Sequence, residues 1–232
     1  MNMKLVALGD SIIKGVVLTH DGMRSRYALS HRNIVDQCAE HWGSEIVNLG
    51  KMGCTITAGE RILDKCIERI KGARYVLLEY GGNDSDYNWQ AIAQNPSIEH
   101  LPNTTLDVYE QTYERVIHKL RQVGVEPLVL SLPPMDAERY FAFFSSMWSD
   151  KLKQNVLDWL GGTTNTIMSG HELYNMATLK VAQRTQTPWI DVTTGLIMEH
   201  KCREYLCVDG IHPNEKGQAK IAELILKQFN LV

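Results

Sequence analysis

Cysteine is scarce in this chain of 232 residues. There are five, an odd number, at Cys38, Cys54, Cys66, Cys202 and Cys207. None forms a close C-x-x-C pair, so the pattern argues against a disulfide framework. In a chain kept inside the cell they are expected as reduced thiols packed as small hydrophobes. An excess of positive charge is also missing: 24 Lys and Arg stand against 27 Asp and Glu, for a net charge of −3. Both signs are spread along the chain and no basic patch forms. Nucleic acid therefore finds no electrostatic footprint, and a membrane surface finds none either. No run approaches the roughly 18 apolar residues of a spanning helix. The first residues carry one lysine and a short apolar run interrupted by Asp10, without a small-residue cleavage site, which does not read as a secretion signal. A cytoplasmic protein is expected. The phosphate-cradling patterns G-x-G-x-x-G and G-x-x-x-x-G-K-[ST] are absent as well, which weighs against a nucleotide- or flavin-binding module.

At this length the chain fits one domain, residues 1–232, large enough to bury roughly 70–75% of its unfolded surface without a disulfide or metal. Its organising stretch is Lys4-Leu5-Val6-Ala7-Leu8-Gly9-Asp10-Ser11. The apolar run reads as a buried strand emptying into a turn, with Ser11 at its carboxyl end.

Strand-like and helix-like periods then alternate. A polar, glycine-bearing stretch runs to about Ser25, and a helical pattern covers Ser30 to Trp42. Glu45 to Leu49 reads as a second strand, and Ala58 to Ile70 as a helix with Ile62, Leu63, Cys66, Ile67 and Ile70 on one face. Tyr75 to Tyr80 is a third strand, apolar but for Glu79, ending in Gly81-Gly82-Asn83-Asp84. The next twenty residues, rich in Asn, Pro and Ser, read as a long loop with room for a short helical turn, and loops of that length usually serve binding. A helix from Thr105 to Val123, with Thr104 or Thr105 as cap and Gly124 as stop, leads to a fourth strand over Pro127 to Leu132. An aromatic-rich segment covers Asp136 to Trp148. Helical patterns follow near Ser149 to Leu160 and Ser169 to Thr185, then a short strand over Pro188 to Val192. Asn214 caps a last helix from Glu215 to Phe229.

Five such alternations predict an α/β fold: a three-layer α/β/α sandwich around a five-stranded parallel sheet, flavodoxin-like in its simplest topology. Open sheets of this kind hold ligands at the carboxyl ends of their strands.

Three such ends carry chemistry. Ser11 is a candidate nucleophile if a base accompanies it. Val208-Asp209-Gly210-Ile211-His212-Pro213 supplies an Asp and a His three residues apart in a tight loop, so Asp209 can hold one nitrogen of His212 and leave the other for the serine proton. Gly53 follows the second strand with a backbone N–H that no side chain screens, and Asn83 follows the third with an amide donor. With the Ser11 N–H they form three candidate oxyanion donors.

Taken together, Gly9-Asp10-Ser11, Asn48-Leu49-Gly50-Lys51-Met52-Gly53, Gly81-Gly82-Asn83-Asp84 and Asp209-Gly210-Ile211-His212-Pro213 resemble the four blocks of the SGNH (GDSL-type) hydrolases, in the family's order and over nearly the whole chain. The first block reads G-D-S-I in place of G-D-S-L. The resemblance implies the three-layer sandwich, hydrolysis of carboxylic esters or thioesters and no metal or organic cofactor. It implies Ser11 as nucleophile, His212 as base, Asp209 as its orienting acid, and Ser11, Gly53 and Asn83 as oxyanion hole.

Other readings stand beside these. Asp191, at the end of the fifth strand, competes with Asp209 as the acid, and otherwise serves as a cap. Asp10 and Asp84 are expected to tie loops by accepting backbone N–H groups. Cys202 and Cys207 with His200 and His212 invite a metal reading, but the C-x₄-C spacing lacks a second pair. His171 is set aside because it lies at a helix start without a nearby acid. The aromatic cluster that includes Tyr140 and Phe143 serves either as an apolar face or contact between copies of the chain, or as the pocket wall together with Trp89. The expected activity is that of a serine esterase acting on a small-molecule ester, with a small acyl group such as acetyl on a sugar or metabolite. Thioesterase, lysophospholipase or acyltransferase activity at the same residues is the alternative.

Overall fold

Leu5, Val6, Ala7 and Leu8 are at most 1% exposed, so the first strand is covered on both faces, as a continuous apolar run in a parallel sheet requires. The computed structural model describes residues 4–21, 24–198 and 200–229. In chain order its elements are β1 (Lys4–Gly9), α1 (Ser11–Lys14), β2 (Val16–Asp21), β3 (Arg24–Leu29), α2 (Ile34–Trp42), β4 (Glu45–Asn48) and α3 (Ile56–Ile70). Then come β5 (Tyr75–Glu79), α4 (Trp89–Gln94), α5 (Leu106–Gln122), β6 (Glu126–Leu130), α6 (Ala137–Phe144), α7 (Asp150–Trp159) and α8 (Asn165–Arg184). The chain closes with β7 (Trp189–Ile190), α9 (Thr193–Ile197), a 3₁₀ turn at Cys202–Tyr205 and α10 (Glu215–Gln228).

The main sheet has five parallel strands in the order β4-β1-β5-β6-β7. Counting only those strands, the order is 2-1-3-4-5, the flavodoxin-like arrangement expected from alternation. The two-residue side-chain period assigns the faces. Val6, Leu8, Val76, Leu78 and Val129 pack with Leu63, Tyr113 and Val181, under α3, α5 and α8. Ala7, Leu77, Leu128 and Ile190 pack on the other face with Val35, Cys38, Ile221 and Ile225, under α2 and α10. A third cluster, of Trp89, Ile92, Ala137, Val156, Leu160 and Ile167, joins α4, α6 and α7 to the start of α8. It forms a small helical cap beside the carboxyl ends of the strands.

One stretch departs from the sequence reading. The polar segment after Ser11 contains an antiparallel hairpin, β2 with β3, registered from Val16↔Leu29 to Asp21↔Arg24 and separate from the main sheet. Its polar residues belong to a ribbon, not to a loop. Helix boundaries shift for identifiable reasons. α2 starts at Ile34 because Asn33 caps it, its Oδ1 accepting from the Asp36 N–H at 3.0 Å. α8 begins at Asn165, four residues before the expected Ser169, and the aromatic-rich segment contains a helix, α6, over Ala137–Phe144. α10 is capped as expected, Asn214 Oδ1 accepting from the N–H groups of Lys216 and Gly217 at 3.0 Å each. Among the described residues no helix is long and apolar enough to cross a membrane.

Candidate active site

The turn after β1 sets the site. Asp10 caps α1, its Oδ1 accepting from the Ile12 N–H at 2.8 Å, and this places Ser11 as the first helical residue, 7% exposed. The loop after β4 is tied to the same turn. Asn48 Nδ2 donates to the Ile13 carbonyl at 2.8 Å, Asn48 Oδ1 accepts from the Gly50 N–H at 2.9 Å, and the Lys51 N–H donates to the Gly9 carbonyl at 3.1 Å. The result brings Gly53 to the cavity that Ser11 lines. Gly53 has φ +69°, while a Cβ there would meet nothing within 4 Å. Its backbone conformation, more than close approach, is what favours glycine.

The loop before α10 brings the second half. His212 Nε2 lies 2.9 Å from Ser11 Oγ, and His212 Nδ1 lies 2.7 Å from Asp209 Oδ2. Asp209 Oδ1 also accepts from the Ile211 N–H at 3.2 Å and the His212 N–H at 3.1 Å. Burial pushes the Asp209 carboxyl up, but the His212 hydrogen bond and charge, with the two backbone N–H groups, outweigh it. They hold the carboxyl below its usual range. The tight loop depends on Gly210, at φ +77°, where a Cβ would press on the Asp136 carbonyl at 2.5 Å. A serine hydroxyl bonded to an imidazole, itself bonded to a buried carboxylate, is arranged for proton transfer as the hydroxyl attacks a carbonyl.

Asn83 also lines the cavity, and its Nδ2 donates to Asp10 Oδ2 at 2.7 Å. Asp10, Glu79 and Asp84, at most 2% exposed, lie together beneath it. Asp84 accepts from the Ile56 N–H at 3.0 and 3.1 Å, so it and Asp10 do tie loops. Burial pushes Asp84 up to about 7. Asp191 takes the capping part: its Oδ1 accepts from the Thr194 N–H at 2.8 Å, at the start of α9. Among the described residues no three His, Cys, Asp or Glu side chains gather so as to hold a metal ion, and all five cysteines are free.

A cavity of about 600 Å³ opens at Ser11 and His212. Trp89, Tyr140 and Phe143 all line it, and each is also packed against apolar neighbours within the protein. Trp89 stacks on Phe144, centroids 5.1 Å apart and planes at 8°. Its Nε1 donates to Asp86 Oδ1 at 2.6 Å, and the Tyr140 hydroxyl donates to Asp86 Oδ2 at 2.6 Å. Burial raises Asp86, and these two donors and the Tyr87 N–H oppose the rise.

Two wall residues escaped the sequence reading. His171 lies seven positions into α8, not at a helix start, and lines the cavity, where desolvation lowers its imidazole to about 4 and keeps it neutral at pH 7. Tyr27, on β3, lies against His212 with ring centroids 5.1 Å apart. The hairpin that carries it is pinned to the His212 loop by the Leu18 N–H, which donates to Cys207 Sγ at 3.3 Å. A signal was present: Asp21-Gly22 between Val16-Val17-Leu18 and Tyr27-Ala28-Leu29 is a strong short-range hairpin pattern.

Solved structures resemble this one along its whole length. A lipase/acylhydrolase from Enterococcus faecalis aligns over 97% of this chain and 94% of its own, with a TM-score of 0.68 and 19% identity. The acetyl xylan esterase AlAXEase aligns over 97% and 98%, with a TM-score of 0.63 and 18% identity. A catalytic mutant of an acetylxylan esterase from Geobacillus stearothermophilus aligns over 100% and 97%, with a TM-score of 0.63 and 16% identity. Comparison with curated proteins found no match. The family model of the GDSL-like lipases and acylhydrolases matches residues 7–220, from within β1 into α10, and the chain is therefore an ester hydrolase belonging to that family.

Proposed function

We propose that this hydrolase is a serine esterase working through an acyl-enzyme. The observation that carries the reading is the unbroken line of hydrogen bonds from Asp209 through His212 to Ser11 beside the cavity. Ser11 Oγ attacks the ester carbonyl as His212 Nε2 takes its proton, and Asp209 fixes the tautomer and stabilises the imidazolium. The developing oxyanion lies among the Ser11 N–H, the Gly53 N–H and Asn83 Nδ2. His212 returns the proton to the departing alcohol. Water then repeats the sequence, losing a proton to His212 and freeing the acid and Ser11.

The acyl group on this reading is small, such as acetyl carried on a sugar or similar metabolite, with the alcohol in the aromatic cavity. Aromatic side chains in the wall, Trp89 and Trp159 among them, suit a sugar ring, and two of the structural relatives are acetyl xylan esterases. The volume and apolar walls favour a second reading, in which a longer acyl chain fills the cavity and the same residues serve a thioesterase, lysophospholipase or acyltransferase. Residues 1–232 act as one catalytic domain in the cytoplasm, and the five free thiols fit a reducing compartment. Met147, 93% exposed, offers an apolar contact to a second copy in a homo-oligomer.

Hydrolysis of p-nitrophenyl esters from acetate to laurate, by wild type and Ser11→Ala, tests this. Activity on short esters that vanishes in Ser11→Ala supports both mechanism and acyl size. A preference for long chains keeps the mechanism and selects the second reading. Equal activity in Ser11→Ala removes Ser11 from the reaction.

A further inference from the structure

Glu79 stands at the carboxyl end of β5, paired in register with Gly9 of β1, and is 1% exposed. Neither of its carboxylate oxygens receives a well-formed donor from the described residues. Among the described residues the side chain in hydrogen-bond contact with it is Asp10, which itself accepts from the Ile12 N–H at Oδ1 and from Asn83 Nδ2 at Oδ2 and keeps lone pairs to spare. Two acceptors cannot bond to each other unless one carries a proton. A buried carboxyl with no well-formed donor and an acidic side chain against it does not remain ionised, whereas Asp10, with two donors, does.

We propose that Glu79 is a positioning residue, a neutral carboxylic acid whose O–H is donated to Asp10 and which thereby keeps Asn83 turned with its NH₂ toward the oxyanion. The inference rests on the role given to Asn83 above. An ionised Asp10 accepts only, so the amide must present Nδ2 to it and leave the second N–H for the cavity. A protonated Asp10 could instead donate to the amide oxygen. The amide would then turn, and an acceptor could face the developing negative charge. The Glu79 proton supports the ionised state of Asp10 at a site that is otherwise unfavourable for charge.

The titratable groups acting on the pair are Asp84 from the loop after β5, His212 before α10, Cys54 before α3, Tyr80 after β5, and Tyr109 and Tyr113 on α5. Burial first, then the charge of Asp10 and the bond to it, and then Asp84 push Glu79 well above the usual carboxylate range, and the Asp10 N–H only partly opposes them. Burial also raises Asp10, against the Ile12 N–H, the Glu79 bond, the His212 charge and the Asn83 amide.

The test uses Glu79→Gln, which keeps a neutral donor, and Glu79→Leu, which removes it. Glu79→Gln is expected to keep kcat within a few-fold. Glu79→Leu is expected to lose about 10²-fold in kcat at little-changed KM, approaching the loss of an oxyanion donor, with the acid limb of kcat moved to higher pH. In the infrared spectrum at pH 8.5, above the range in which Asp84 titrates, wild type is expected to show a protonated carboxyl band that Glu79→Gln lacks. Absence of that band, a Glu79→Gln variant as slow as Glu79→Leu, or an unchanged pH profile in folded Glu79→Leu overturns the proposal. The band and the Glu79→Gln rates decide it even where Glu79→Leu does not fold. Loss of the esterase reading would appear separately, as full activity in Ser11→Ala with the band still present.

Discussion

The ring of Tyr27 leans on the imidazole of His212, centroids 5.1 Å apart and planes at 57°, and its hydroxyl faces the Asp209 carboxylate. Burial, followed by the charge of Asp209 and the contact with it, pushes the phenol up to about 12, so Tyr27 remains a donor through the working range. A residue outside the four family blocks thus touches both members of the proposed base pair. Tyr27→Phe keeps the ring and loses the donor, and should lower kcat about tenfold, the scale of a hydrogen bond to a charged group. Tyr27→Ala should lower it further. Steady-state kinetics on a short p-nitrophenyl ester check both, and unchanged rates in Tyr27→Ala would remove the residue from the site.

Asp209→Asn leaves the shape of the loop but presents an amide to His212 Nδ1, which favours the wrong tautomer. Activity should fall by about 10⁴-fold, the scale of the same change in a serine protease triad. Asp191→Asn, altering only a helix cap, should leave kcat near wild type. Similar losses in the two variants would mean that Asp209 has no special part in proton transfer.

The wall of the cavity predicts a change of preference. Phe143→Ala enlarges it on the side facing the hairpin, and should raise kcat/KM for longer esters relative to acetate by about tenfold, a value of roughly one or two methylenes in an apolar pocket. Trp89→Ala should shift preference too, but at a cost of about 3–5 kcal/mol in stability, because Trp89 is buried and stacked on Phe144. A chain-length series that is superimposable for wild type and Phe143→Ala would count against this pocket.

Asp84 predicts a pH-dependent stability. Its folded value, raised to about 7, exceeds the ordinary 3.8, so between those values the folded protein holds a proton that the unfolded chain has lost. This contribution is fully present below about 4, falls by up to about 1.4 kcal/mol per pH unit, and is gone above about 7. Asp84→Asn should therefore gain on wild type as pH rises through that window. Urea unfolding of both proteins at pH 5, 6, 7 and 8 measures the difference, and a constant difference would place the Asp84 value near its ordinary one.

Much of this architecture can be read from residues alone. Continuous apolar runs such as Leu5 to Leu8 and Val76 to Leu78 need cover on both faces, and glycine-bearing turns after them mark the ends where the site forms. The hairpin was harder to see, because a ribbon outside the main sheet keeps polar residues and offers no long apolar run; only Asp21-Gly22 betrays it. Tyr27 was hidden for the same reason, since nothing local ties it to a histidine near the other end of the chain. The carboxyl pair of Asp10 and Glu79 was half legible. An acid in an otherwise apolar strand is visible, but its partner depends on the β1–β5 register, which the alternation pattern does not specify.

Ser11 and His212 are separated by 201 positions in sequence and 2.9 Å in space. A chain emerging from the ribosome exposes its serine 201 positions before its histidine. On the proposed mechanism, until the loop before α10 brings His212 to Ser11, the hydroxyl has no base and is as inert as any serine in water. Ester cleavage on that mechanism waits for this long-range contact, and its first appearance during refolding would time the meeting of the Ser11 turn with the His212 loop.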